Sequence, residues 1–207
     1  MKCVDASDST RLVEVASISA GYPFRGKIDE LPAGDVAVVQ MRNASPEVGI
    51  DWEDLVRVEL PRMTDKALLH SGDIILSTRG GRNFAYCIDG GRGPLVCSPH
   101  FFVIRLMRDH IIPEFLAWQI NQTPAQQYLA AGATGSHILN LKRSVVEQLP
   151  IVVPRFERQS CVVELNKAFQ AERRVLNQLI QNRTNEMNAV ANELLGAVST
   201  HPEQRAS

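Results

Sequence analysis

Arg79 and Arg82 flank the glycine pair Gly80 and Gly81 in the stretch SGDIILSTRGGRNFAYCIDGG, Ser71 to Gly91, and Asn83 follows at once. The apolar run Ile74 to Leu76 leads in and the alternating Phe84, Tyr86 and Ile88 lead out, so a β-hairpin is predicted with its glycine tip presenting the arginines outward. The spacing is neither G-x-x-x-x-G-K-[ST] nor G-x-G-x-x-G, which excludes the common phosphate and dinucleotide loops. Two uses remain. The planar fork of arginine matches O6 and N7 of guanine, and a carboxamide such as that of Asn83 matches adenine; equally, arginines on a surface hairpin keep a loop soluble.

Three further groups have suggestive chemistry. In AGYPFRGK, Ala20 to Lys27, the aromatics Tyr22 and Phe24 either pack beneath their loop or rest against sugar and base edges, with Arg25 and Lys27 placed to touch phosphate. Gln40, Arg42 and Asn43 end an apolar run with amide and guanidinium groups suited to base readout, though a capped surface turn has the same composition. In GATGSH, Thr134, Ser136 and His137 offer donors to phosphates, while a single His near an apolar strand is commonly structural. No Ser-His-Asp order, metal-ligand cluster or paired carboxylates emerge, so no catalytic residue, metal or cofactor is expected. Asp73 is expected to accept turn hydrogen bonds at the hairpin entrance. The four cysteines form no C-x-x-C pair and read as buried reduced thiols.

The elements that must position these residues follow from length and pattern. A chain of 207 residues holds one substantial core with an appendage. Its net charge of −1 is unfavourable for nucleic-acid binding by bulk charge. The charge is uneven, however: Arg79, Arg82, Arg92, Arg105 and Arg108 face only Asp89 between Ser77 and Arg108, whereas Asp51, Glu53 and Asp54 lie earlier, a polarisation that an anionic partner could exploit. No apolar run approaches the roughly 20 residues of a membrane span, and MKCVDASDST lacks a basic region followed by an apolar one, so a cytoplasmic protein is expected.

Strands are predicted over Arg11–Ile18, Val36–Met41, Val56–Leu60 and Val96–Leu106. The texture changes at Ile111: Pro113 opens a helix through FLAWQINQ, and Thr123 caps a second that Gly132 stops. LPIVVP, Leu149 to Pro154, is extended. The fold class is therefore mixed α/β. From Glu157 to about Ala197 proline is absent, and Phe169, Arg173, Leu176, Ile180, Arg183, Met187, Val190 and Leu194 recur at spacings of four and three, a coiled-coil stripe. Such a helix, about 60 Å long, is expected to project and pair, its seam arginines met by acceptors or reaching the edge. The division expected is a domain over 1–154, a coiled-coil helix over 155–197 and a disordered tail over 198–207.

The segments ISAGYPFRG, GDIILSTRG, PEFLAWQIN and GSHILNLKRSVVEQLPIVVP with Gln159 leading into the helix, in this order and spacing, resemble the specificity subunit of type I restriction-modification systems. The resemblance implies that 1–154 is a target recognition domain reading part of a bipartite site in double-stranded DNA. It implies a non-catalytic subunit whose helices form an antiparallel spacer, with a methyltransferase (modification) subunit, and further a restriction or translocase subunit, as partners that carry the methyl-donor and ATP chemistry. It also favours base reading by Arg79, Arg82 and Asn83 over mere solubility. The familiar subunit has two recognition domains and two helices, and this sequence has no internal repeat, so it resembles half of one. It acts alone, beside a second half, or as a homodimer paired through Phe169, Leu176, Ile180, Met187, Val190 and Leu194, which would read an inverted repeat. The rival expectation is a coiled-coil adaptor without sequence-specific DNA binding of its own.

Overall fold

The computed structural model describes residues 8–24, 26, 28, 30–31, 33–45, 49–60, 64–79, 83–90, 93–133 and 140–199. The chain divides into two compact units, Met1–Val163 and Glu164–Ser207. The first is mixed α/β. In order it contains β1 (Asp8–Arg11), α1 (Leu12–Val15), β2 (Ala16–Ala20), β3 (Val36–Val39), β4 (Ala44–Ser45), β5 (Gly49–Ile50), β6 (Val56–Val58), β7 (Ile74–Ser77), β8 (Ala85–Cys87), β9 (Leu95–Cys97), β10 (Phe101–Leu106), α2 (Pro113–Ile120), α3 (Thr123–Gly132), α4 (Arg143–Glu147), β11 (Pro150–Val153) and the start of α5 (Phe156–Ser199).

Two sheets pack through the period-2 alternation of their strands. An antiparallel sheet of order β2-β10-β7-β8 lies against a sheet of order β6-β3-β9, in which β3 and β9 run parallel. Ile74 and Leu76 turn toward α1 to α4, joining Leu116, Ile120, Leu129 and Leu149. Ile75 turns the other way and meets Ala37, Val39, Leu95, Phe101 and Val103 between the sheets. Val36, Val38, Val56, Val58 and Val96 form the outer face of the second sheet, covered by Tyr22, Phe24 and Ile28. Each large side chain withdrawn from water in these layers contributes roughly 2 kcal/mol. Cys97 sits in this core, and burial pushes its thiol pKa up to about 12. Cys161 departs from the expected buried thiol, being exposed on α5.

Several elements differ from the sequence reading. The strand expected over Arg11–Ile18 is interrupted by the single turn α1, because Leu12, Val15 and Ala16 share the helical spacing that places all three in the core. The strand expected over Val96–Leu106 is two strands in different sheets, separated by a turn in which Phe101 N–H donates to the Ser98 carbonyl over 3.1 Å. Thr123 is the first helical residue of α3 rather than its cap. The apolar stretch after GATGSH lies partly outside the described residues; within them Asn140 forms a bridge, and the unforeseen α4 follows.

Gln159, on the second turn of α5, is fully buried. Its Oε1 accepts from Ile112 N–H over 2.9 Å, and its Nε2 donates to the carbonyls of His110 (2.9 Å) and Pro154 (2.8 Å). One amide thus satisfies the backbone ahead of α2 and ahead of α5 together. In the second unit, the stripe side chains Phe169, Leu176, Ile180, Met187, Val190 and Leu194 are all exposed. No described helix is long and apolar enough to cross a membrane.

Candidate nucleic-acid interface

Four strand ends meet at one edge of the first unit. Because β3 and β9 are parallel, their C-terminal ends coincide, and Ser98 N–H donates to the Val39 carbonyl over 2.9 Å just beyond the ladder. The end of β2 joins them: Gly21 N–H reaches the Phe101 carbonyl (2.9 Å) and Tyr22 N–H the Cys97 carbonyl (2.8 Å). A Cβ on Gly21 would run into the Ser98 carbonyl, which is why glycine occupies that position. The end of β7 is fastened by Thr78, whose N–H and Oγ1 both donate to the His100 carbonyl at 2.9 Å. Leu141 N–H then donates to the Thr78 carbonyl over 2.9 Å, and Asn140 forms an antiparallel bridge with Arg79. Residues 21–24, 40–43, 78–79, 98–100 and 140–142 are therefore neighbours, although they come from distant parts of the sequence.

At this edge Arg42 and Arg79 are exposed and Gln40 is half-buried. Among the described residues none pairs with the Arg79 guanidinium. Asn43 and Asn83, whose carboxamides suit base reading or a local turn, make hydrogen bonds inside the fold. Asn43 is 2% exposed; its Oδ1 accepts from Gln40 N–H and its Nδ2 donates to Asp54, so it is the capped turn that its sequence context allowed. Asn83 Nδ2 donates to the Ser77 carbonyl over 2.7 Å and holds the hairpin rather than extending from it. Tyr22 and Phe24 are half-buried, edge to face with centroids 4.8 Å apart, and cover the outer valine face. Arg25, Lys27, Arg82, Thr134, Ser136 and His137 lie outside the described residues.

Sequence reasoning missed His100, Asn140 and Lys142. His100 is half-buried, and burial first, then the Arg79 charge, holds its pKa below the usual 6.5, so a neutral imidazole sits beside a guanidinium. Asn140 and Lys142 are exposed. Pro99 within an apolar run was the one available signal of a turn there.

The basic stretch from Arg79 to Arg108 is not one surface. Arg105 lies at the other end of β10, where Nε and Nη2 donate to Asp73 at 2.7 and 2.6 Å and Nη2 also reaches the Leu68 carbonyl at 3.0 Å. Asp73, buried, accepts as well from His70 N–H over 2.8 Å, the turn role expected of it. Gly72, at φ +87°, completes that turn. The Arg105 charge is thus answered within the fold, far from Arg79 along the strand.

The fold is that of type I restriction-modification specificity subunits, each matched over about half its length. A scan against protein families and a search of curated proteins return no match. Among solved structures, the chain is similar to the S subunit of M. genitalium (TM-score 0.58, 14% identity, 95% of this chain and 48% of that one). It is also similar to the HsdS subunit of Thermoanaerobacter tengcongensis (TM-score 0.63, 19% identity, 100% and 53%). A third similar chain belongs to a study of complex assembly and conformational transition of the type I R-M system (TM-score 0.67, 18% identity, 100% and 53%).

Proposed function

We propose that this protein is the non-catalytic DNA-recognition subunit of a type I-like restriction-modification methyltransferase complex. What supports this is the convergence of four strand ends that sets Arg79, Arg42 and Gln40 on one edge, in a fold similar to S subunits. Readout of this kind needs few side chains, provided that their backbone is fixed, and each bidentate arginine-guanine pair discriminates by roughly 1 to 3 kcal/mol. Residues 1–154 act as the recognition domain and 155–197 as the spacer helix. Two copies pair through the α5 stripe and read a bipartite inverted repeat, while a methyltransferase subunit, and with it a restriction or translocase subunit, supplies the chemistry.

A second reading has its own support. Asn43 and Asn83 are held inside the fold and Arg105 is paired with Asp73, which thins the basic and amide groups available to DNA and favours a coiled-coil adaptor. Selection of bound duplexes from a random-sequence pool, at two salt concentrations, separates the two. The recognition subunit enriches a two-part motif and its affinity falls steeply with salt; an adaptor enriches nothing.

A further inference from the structure

We propose that His100 and Asn140 form, with Arg79, a single base-reading group, the three determining preference at one or two adjacent base pairs. This rests on the recognition-subunit reading given above. None of the three is near another in sequence except through the fold. Arg79 and Asn140 are direct partners in an antiparallel bridge, and side chains of directly opposed residues leave the same face with their Cβ atoms about 5 Å apart. On the other side, the β7–β10 register and the Thr78 bonds set His100 opposite Thr78, one residue before Arg79; His100 lies in the Ser98 to Phe101 turn beyond the ladder, where its ring is near enough to feel the Arg79 charge.

The chemistry of the group is complementary. Arginine offers only donors, neutral histidine one donor and one acceptor, and asparagine two donors and an acceptor. Together they can address a guanine edge with its two acceptors beside an adenine edge with its donor and acceptor. A neutral His100 avoids setting a second positive charge against Arg79, and the Arg79 charge in turn disfavours protonation of the ring. The backbone beneath is fixed from three strands: Thr78 holds His100 twice, Leu141 holds Thr78, and the Ser98 to Phe101 turn closes from below. Side chains mounted this way lose little freedom on binding, which is what base discrimination requires. Lys142, two residues beyond Asn140, is exposed and suited to an adjacent phosphate.

The test is selection of bound duplexes by the full chain, wild type beside Arg79→Ala, His100→Gln, His100→Ala, Asn140→Ala and Asn140→Asp. Thermal unfolding controls for folding, and His100→Gln and Asn140→Asp preserve size if the alanine variants are unstable. The expected result is that the His100 and Asn140 variants relax preference, by about tenfold each, at the base pairs that Arg79→Ala relaxes or their immediate neighbours, with the salt slope unchanged. Asn140→Asp, which has acceptors only, shifts preference toward cytosine, whose amino group donates. If Arg79→Ala alters the motif and folded His100 and Asn140 variants leave it intact, or weaken all sequences equally, the reading group is wrong and the recognition-subunit reading stands. If wild type selects no motif, both are overturned.

Discussion

Arg79 and Arg42 sit on the same edge but predict different losses. Arg79 extends a strand fastened on both flanks, so Arg79→Ala should relax one or two base positions at a cost of about 1 to 3 kcal/mol in discrimination. Arg42 leaves a short 3-10 turn, so Arg42→Ala should weaken all duplexes alike and lower the salt slope by about one, as loss of a phosphate contact does. Titrations at several salt concentrations distinguish them. His100 carries a pH signature independent of DNA. Its pKa is lower folded than unfolded, so protonation is harder in the native state; stability is intact above about pH 6.5 and declines as pH falls from there toward the folded value. His100→Gln should flatten that part of a stability-versus-pH curve, measured by denaturant titration. At this scale the sequence was only partly legible. The hairpin signal led to Arg79, but Asn43 and Asn83 have the same residue types whether they face a base or a backbone carbonyl, and only the fold decides. His100 was hidden because Val96–Leu106 reads as one strand when Pro99 alone marks the break.

Among the elements, the amphipathic and proline-marked helices α2 and α5 were legible, since their apolar spacing and the proline opening α2 are local. The parallel pairing of β3 with β9, on which the candidate edge depends, joins residues nearly 60 positions apart, and no local pattern encodes it. Residue Gln159 stands between these cases: its place before the helix was noticed, its role was not. Gln159→Leu keeps the volume but leaves Ile112 N–H and the His110 and Pro154 carbonyls without their partner. Each buried orphan costs about 1 to 3 kcal/mol, so the three together predict a loss of about 3 kcal/mol or more in urea unfolding. A change under about 1 kcal/mol would mean that water takes over the amide's bonds.

For the molecule as a whole, the exposed stripe of α5 carries the main prediction. Ile180 and Met187 are 63% and 67% exposed, far more than an apolar seam tolerates without a partner. The chain should be a dimer at micromolar concentration by light scattering, and changing both residues to Glu should leave a folded monomer; a wild-type monomer would instead point to pairing with a different half-subunit. Another feature bears on how such chains can be rearranged. β1 and β11 are antiparallel neighbours, Asp8 opposite Val153 and Arg11 opposite Pro150. Asp8 thus lies within about 5 Å of where the polypeptide leaves for α5. A helix spliced ahead of Asp8 would depart from the same spot as one following Val153, so the order of domain and helix can be permuted, or a second domain grafted in tandem, without unpicking a strand.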